Sequence, residues 1–434
     1  MKLLSSHIAL LAGMMGTLLQ WYDFAIFGYF SPLIAETYFP HGNSIAALLN
    51  TFAVFAVGYV LAPLGSICFG YIGDKYGRKK ALTFSILFMA IPTALISIIP
   101  GYVVIGIAAP LIITLLRMVQ GFVASSEYVS SSVFLIEHAK TGRKALYGCL
   151  TSSAYSLGSM LAGLSASFFT ASFMPTWGWR LGFAVALAAG GLIYFLRLRV
   201  AETPEYKAIR TSSIPRVPFL TAVQNRPWVM LGIFGIGSMI GIITFGTYVF
   251  MASYLPGHFS ISISKTVLLI TVALAVDALL EPCIALASEK VGYLFVICCG
   301  VILMAAAIVP VFSWIAEGSV AHIAEGLVII SVLIAIICAP LNAHMVSLFP
   351  QQYRCSGFGF AFNLGVTVLG GTAPLVMLWL AEKTEYFSAP AWYYLFGTAI
   401  GLMALLLCDR STRNMYNFES VTIDADRGTK DVVF

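Results

Sequence analysis

The chain reads as an all-α membrane protein with twelve transmembrane helices in two six-helix pseudo-symmetric bundles. Three observations carry that reading. Hydrophobic residues make up 59% of the 434 residues and charged residues only 10%, against about 25% charged in a soluble domain; the mean hydropathy is +0.91. The apolar residues fall in roughly a dozen continuous runs, each able to cross a hydrocarbon core of about 30 Å at about 1.5 Å per helical residue. A lipid-facing barrel would alternate instead. Finally, 20 of the 24 Lys and Arg residues lie in alternate loops and at the ends. That bias puts those loops and both termini in the cytoplasm and requires an even number of helices.

The first run starts behind Met1-Lys2 and continues through Trp21-Tyr22-Asp23 to Leu33 without a small-residue cleavage site, so it is a span and not a signal peptide. Further runs lie near 45–72, 81–99, 107–136, 147–173 and 180–198. A polar, basic stretch separates them from runs near 228–256, 266–288, 293–314, 323–347, 356–381 and 389–408. The expected organisation is a bundle over 1–198, a cytoplasmic linker at 199–227, a second bundle over 228–408 and a short cytoplasmic tail at 409–434. Two echoes support the repeat. Ala285-x-x-x-Glu289-Lys290-x-Gly292 follows Gly70-x-x-x-Asp74-Lys75-x-Gly77 at an offset of 215 residues, and Arg354-x-x-x-x-Gly359 follows Arg143-x-x-x-x-Gly148 at 211. Tyr293 stands where Arg78 stands in the first copy, so the second latch is expected to be weaker.

The turn at Gly70–Lys80 is a dense charged knot between two apolar runs. Gly70, Gly73 and Gly77 allow close approach or positive φ. Asp74 is placed to pair with Arg78 or to sit at the positive N-terminus of a nearby helix. Within the spans we count five charges, Asp23, Arg117, Glu127, Asp277 and Glu281; charges at such depth are costly and point to function. Arg117, Gln120, Ala124 and Glu127 share one helix face. Arg117 and Glu127 lie about 15 Å apart along it, too far to pair, and Asp23 is the natural partner for Arg117. Asp277 and Glu281 share a face of the eighth span beside Pro282. Four acids against one Arg suit a cationic or zwitterionic solute. Trp21, Tyr22, Phe245 and Tyr248 could offer rings to an ammonium group, with packing as the plain alternative. His138, His258, His322 and His344 sit at or near span ends and read as interfacial.

Other classes find little support. The eight cysteines show no CxxC or Cys/His spacing that would hold a metal. No nucleophile–base constellation or phosphate-cradling loop suggests an enzyme or a bound cofactor. The basic residues sit in loops and not on a nucleic-acid face. A monomer in the bilayer is expected, with a small-molecule substrate and protons as its partners.

The loop motif G-x-x-x-D-[RK]-x-G-R-[RK], matched by Gly70, Asp74, Lys75, Gly77, Arg78 and Lys79, resembles the signature of the major facilitator superfamily. Arg117-Met-Val-Gln120-Gly121 resembles its R-x-x-Q-G motif. Trp21-Tyr22-Asp23-Phe24, Glu127-Tyr128, Trp177-Gly178-Trp179-Arg180, Glu202-Thr203-Pro204, Phe349-Pro350 and Ala361-Phe362-Asn363 narrow the resemblance to the metabolite:proton symporter family and its proline/betaine branch. That resemblance implies a proton-coupled transporter of the inner membrane driven by the proton gradient. Asp23, Arg117 and Glu127 would couple; Gly70, Asp74, Gly77, Arg78 and Lys79 would gate the cytoplasmic face. Trp21, Tyr22, Gln120, Phe245, Tyr248, Asp277, Glu281 and Asn363 would line the substrate site. The chain departs from the family at Gln20, at Ala62-Pro63-Leu64-Gly65-Ser66 and at Ser125-Ser126. The second departure removes the family's helix-2 Arg, a bidentate carboxylate clamp, and weakens the case for a di- or tricarboxylate. The fifth span lacks the Gly-Pro pattern of exchangers, which favours symport. The expected substrate is a proline- or betaine-like zwitterion or an amino acid. The alternatives are organic-acid:proton symport and a membrane transceptor or assembly partner that does not transport. The family's osmosensing coiled coil has no counterpart in the tail, so no such sensing is expected.

Overall fold

The structure, a computed structural model, describes residues 2–40, 54, 58–209, 214–384 and 386–428, with side chains from 8 to 411. The regular elements among the described residues are all helices. The long helices of the first half are α1 (Lys2–Tyr29), α2 (Ala62–Tyr76), α3 (Arg78–Ile98), α4 (Ala108–His138), α5 (Lys144–Phe169) and α6 (Arg180–Arg199). The second half holds α7 (Pro227–Phe245), α8 (Ile263–Val291), α9 (Tyr293–Ile315), α10 (Val320–Ser347), α11 (Arg354–Gly365) and α12 (Pro390–Gly428). A π turn over Gly246–Phe250 carries α7 on into Met251–His258, and another over Val366–Gly370 leads from α11 to Ala373–Thr384. Ten spans among the described residues are long and apolar enough to cross a membrane. The other two are α5, diluted by serine and glycine, and α2, whose expected start near 45 lies largely outside the described residues. The last helix runs on through residues expected to form a polar tail.

Two helix breaks fall at related places. Gly77 between α2 and α3 has φ 110°, and Gly292 between α8 and α9 has φ 105°. Only glycine takes such values without strain, and the two positions differ by the 215 residues of the sequence echo. The contacts between halves follow the same offset. α2 packs on α11, and α5 packs on α8; since α2 corresponds to α8 and α5 to α11, one kind of seam is made twice. Close approach needs glycine here. A Cβ on Gly70 would lie 2.7 Å from the Ser356 Cα on α11.

Large apolar side chains such as Ile98, Val103, Leu279 and Leu375 point outward, as expected of a lipid-facing surface. The polar groups turn inward and gather in four places, which position the site.

Candidate functional site

A cavity of about 80 Å³ lies between the halves, room for several waters. It is reached by α1, α4 and α5 and the residues leading into α2 from one half, and by α7, α8, α10 and α11 from the other. Trp21, Phe24, Tyr59, Tyr155 and Phe245 form an aromatic wall: Trp21 and Tyr155 meet edge to face at 4.4 Å, and Tyr59 and Phe245 at 5.7 Å. Both π turns open beside it, Phe245 and Val366 being lining residues; such turns often mark functional sites in helices. Among the described residues lining the cavity, Asp277 and Glu281 are the charged ones. Asn363 also lines it, its amide donating to the Ser125 and Gly359 carbonyls at 2.9 Å each.

The second group lies behind the aromatic wall. Arg117 Nη1 donates to Asp23 Oδ2 at 3.0 Å and to Gln120 Oε1 at 3.1 Å. Gln120 Nε2 donates to Asp23 Oδ1 at 3.0 Å and to Thr93 Oγ1 at 2.7 Å. The Arg117 guanidinium also stacks over Phe24 and Phe27. The Asp23–Arg117 pair is thus where the sequence placed it, but neither side chain lines the cavity; Phe24 stands between.

A third group corrects the charge count. Glu127 takes both terminal nitrogens of Arg197, whose Nε donates to the Ala12 carbonyl at 3.0 Å. Ser85 and Ser131 add hydroxyl donors to the same carboxylate. Arg197 is 2% exposed, so it belongs to the buried charges and not to the basic linker. Glu127 therefore neither lines the cavity nor joins the Asp23–Arg117 group: its oxygens accept from Arg197, Ser85 and Ser131, all within the first half. Tyr22, Gln120 and Tyr248 are outside the cavity lining as well. Tyr22 donates to the Gly182 carbonyl at 2.9 Å, and Tyr248 bonds the Ser331 hydroxyl at 2.9 Å. His344, expected at an interface, is buried.

The fourth group ties the halves together at the α2–α3 turn. Asp74 accepts from the backbone N–H groups of Cys355 and Ser356, at 2.9 and 2.8 Å, at the start of α11, where the helix dipole favours an anion. Arg78, 3.8 Å from Asp74, donates to Glu137 and to the Gln351 carbonyl at 2.8 Å. Lys79 donates its N–H to Glu202 and its Nζ to the Leu198 carbonyl. Arg354 joins Glu137 to Glu205 at 2.9 and 2.8 Å. Across the pseudo-axis, Glu289 accepts from the Ala145 N–H at the start of α5 at 2.5 Å, and Tyr293 donates to Glu289 at 2.7 Å. Residue pattern alone missed Glu137, Glu205 and Arg197. The signal for Glu137 was its place at the very end of a span, next to the last residue of α4; that for Glu205 was the polar run after α6.

Two related halves, helical throughout the described residues, with an aromatic-walled cavity holding two acids on the seam and charged ties at one end of it, make a membrane transporter of small molecules. The family described as "Sugar (and other) transporter" matches residues 8–214. The ectoine/proline transporter ProP of Corynebacterium glutamicum is 30% identical over 424 residues, 92% of this chain and 83% of its own. The citrate-proton symporter of Klebsiella pneumoniae is 31% identical over 403 residues, 90% of this chain and 88% of its own. The solved proton:xylose symporter XylE, bound to 6-bromo-6-deoxy-D-glucose, has the same fold, with a TM-score of 0.74 at 16% identity over 93% of this chain and 95% of its own. The chain belongs to the major facilitator superfamily, in its metabolite:proton symporter family, and is a multi-pass protein of the inner membrane.

Proposed function

We propose that the protein is a proton-coupled symporter of a small zwitterionic or cationic solute of the proline, betaine or ectoine kind. One observation carries the choice of solute: the cavity between the halves is walled by aromatic rings, and its charged members among the described lining residues are Asp277 and Glu281. Rings attract an ammonium face-on, and buried carboxylates favour a cationic pole. No Lys or Arg among the described lining residues would clamp a second carboxylate, which counts against a citrate-like substrate. Trp21, Phe245 and Asn363 complete the binding wall. Asp23 and Arg117, held by Gln120, carry the proton coupling behind Phe24. Glu127 serves with Arg197 to hold α1, α4 and α6 together. Asp74, Gly77, Arg78 and Lys79, with Gly70 at the crossing, form the cytoplasmic gate that is shut in this conformation. Bundles over 1–198 and 228–408 rock about the linker 199–227, with both termini in the cytoplasm.

Purified protein in liposomes tests this. An inward proton gradient should drive accumulation of labelled proline or glycine betaine, and succinate or citrate in excess should not compete. Proton-driven uptake of labelled succinate or citrate, with no uptake of either zwitterion, overturns the reading.

A further inference from the structure

We propose that the second half carries a proton site of its own: Asp277 and Glu281 together hold one proton in the resting transporter. The inference deepens, and rests on, the reading of the cavity given above. Six carboxyl side chains are buried among the described residues: Asp23, Asp74, Glu127, Glu137, Asp277 and Glu281. The first four each have an arginine within 4 Å. Asp277 and Glu281 have no cation among the described residues. They are 1% and 0% exposed, one helical turn apart, with Cβ atoms about 5–6 Å from each other.

The hydrogen bonds define where the proton sits. Ser156 donates to Asp277 Oδ2 at 2.5 Å, and Ser152 and Ser153 donate to Glu281 Oε2 at 2.8 and 2.7 Å. All three serines come from α5, across the seam. One oxygen of each acid is thereby satisfied. The other two, Asp277 Oδ1 and Glu281 Oε1, are buried and bond to no described residue. Two like charges at that spacing, out of water and without a counter-ion, repel each other and lose hydration. One proton removes half of the charge and makes a donor for an oxygen that lacks one. The groups facing the pair add no positive charge. They are Tyr155 and Cys149 from α5, Cys338 from α10, Tyr128 from α4 and Tyr248 from the π turn after α7, while α9 has no charged residue along its length. In the step itself, a proton from cavity water forms an O–H bond on an orphan oxygen. It later leaves as that bond breaks, passing to water on the other face. The pair keeps a net charge of −1, which still suits a cationic pole.

The test needs no substrate in its first arm. Infrared spectra of the full-length protein at neutral pH should show a protonated-carboxyl C=O band that survives Asp23→Asn and is lost in the Asp277→Asn/Glu281→Gln double variant. Removing the donors with Ser152→Ala/Ser153→Ala should move that band while the protein still runs as a folded monomer on size exclusion. A spectrum without the band, a band untouched by the double variant, or one erased by sodium chloride but not choline chloride overturns the proposal. In the second arm, liposomes loaded with a pH dye report protons moved per proline or glycine betaine. The wild type should move twice as many as Glu281→Gln; an unchanged ratio overturns the proposal. If neither solute moves protons in any form, the symporter reading fails, and the spectra still decide the proton site.

Discussion

Replacing Arg197 with methionine isolates the buried Arg197–Glu127 ion pair of the first half. Four hydrogen bonds are lost: to the Ala12 carbonyl, to the Leu82 carbonyl and to both Glu127 oxygens. Glu127 keeps the Ser85 and Ser131 hydroxyls but no cation, at 1% exposure. Breaking a buried pair from one side costs about 3–5 kcal/mol, a large part of the roughly 5–15 kcal/mol that holds a typical domain folded. The Arg197→Met protein should therefore unfold many degrees below the wild type when followed by tryptophan fluorescence in detergent. Adding Glu127→Gln removes the stranded charge and leaves a side chain that still bonds both serines, so the double variant should recover at least half of the loss. Gly16→Ala should reproduce the single variant, because a Cβ there would lie 1.9 Å from both Arg197 Nη2 and Glu127 Oε1. The double variant should also retain proton-driven uptake, since neither side chain lines the cavity. If Arg197→Met is as stable as the wild type, the pair does not hold the bundle. If the double variant is stable but uncoupled, Glu127 belongs to the proton path after all.

Two further predictions concern the gate and the wall. Asp74→Asn removes the buried anion at the start of α11; a loss of about 2 kcal/mol, the upper end for a helix-dipole contact, shifts the gate roughly 30-fold toward open. Cys355, buried beside it, should then react with a maleimide much faster in a protein stripped of its other cysteines; an unchanged rate refutes the latch. Phe24→Ala removes the ring between the cavity and Arg117, so protons should leak into liposomes in the absence of solute. A tight variant with normal coupling would show that Phe24 separates nothing.

The parts of this arrangement that the residue pattern exposed share a property: they are polar groups in the middle of long apolar runs. Asp23, Arg117 and Gln120 stand out there because nothing short of a partner makes them tolerable, and helical spacing already puts Arg117 and Gln120 on one face. Asp74 stood out because a short loop leaves it few options besides Arg78 or a helix end, and it takes both. What stayed hidden depends on reach and rotation. Arg197 lies in the last turn of α6, where basic residues usually turn outward; its long side chain folds back to Glu127 instead, as snorkelling side chains can in either direction. Trp21 and Tyr22 are neighbours with the same chemistry, yet only Trp21 meets the cavity, because successive residues point about 100° apart around a helix.

The gate shows the same division between what a repeat predicts and what packing decides. Asp74 caps α11 and Glu289 caps α5, so the carboxylate of each half holds the N-terminus of a helix of the other. The first carboxylate is backed by Arg78, itself tied to Glu137 and through it to Arg354 and Glu205. Among the described residues the second is backed by the neutral Tyr293 and by no cation. A charged backing adds attraction that a phenol does not, so the second seam is expected to be the weaker of the two. If the halves rock as proposed, the Glu289 side should be the one that yields first. The α5–α8 seam that it guards is also the one crossed by Ser152, Ser153 and Ser156 on their way to Asp277 and Glu281. The latch expected to be weaker and the acids without a cation therefore share one seam, so a change in the charge of the acids should meet the least resistance to opening there.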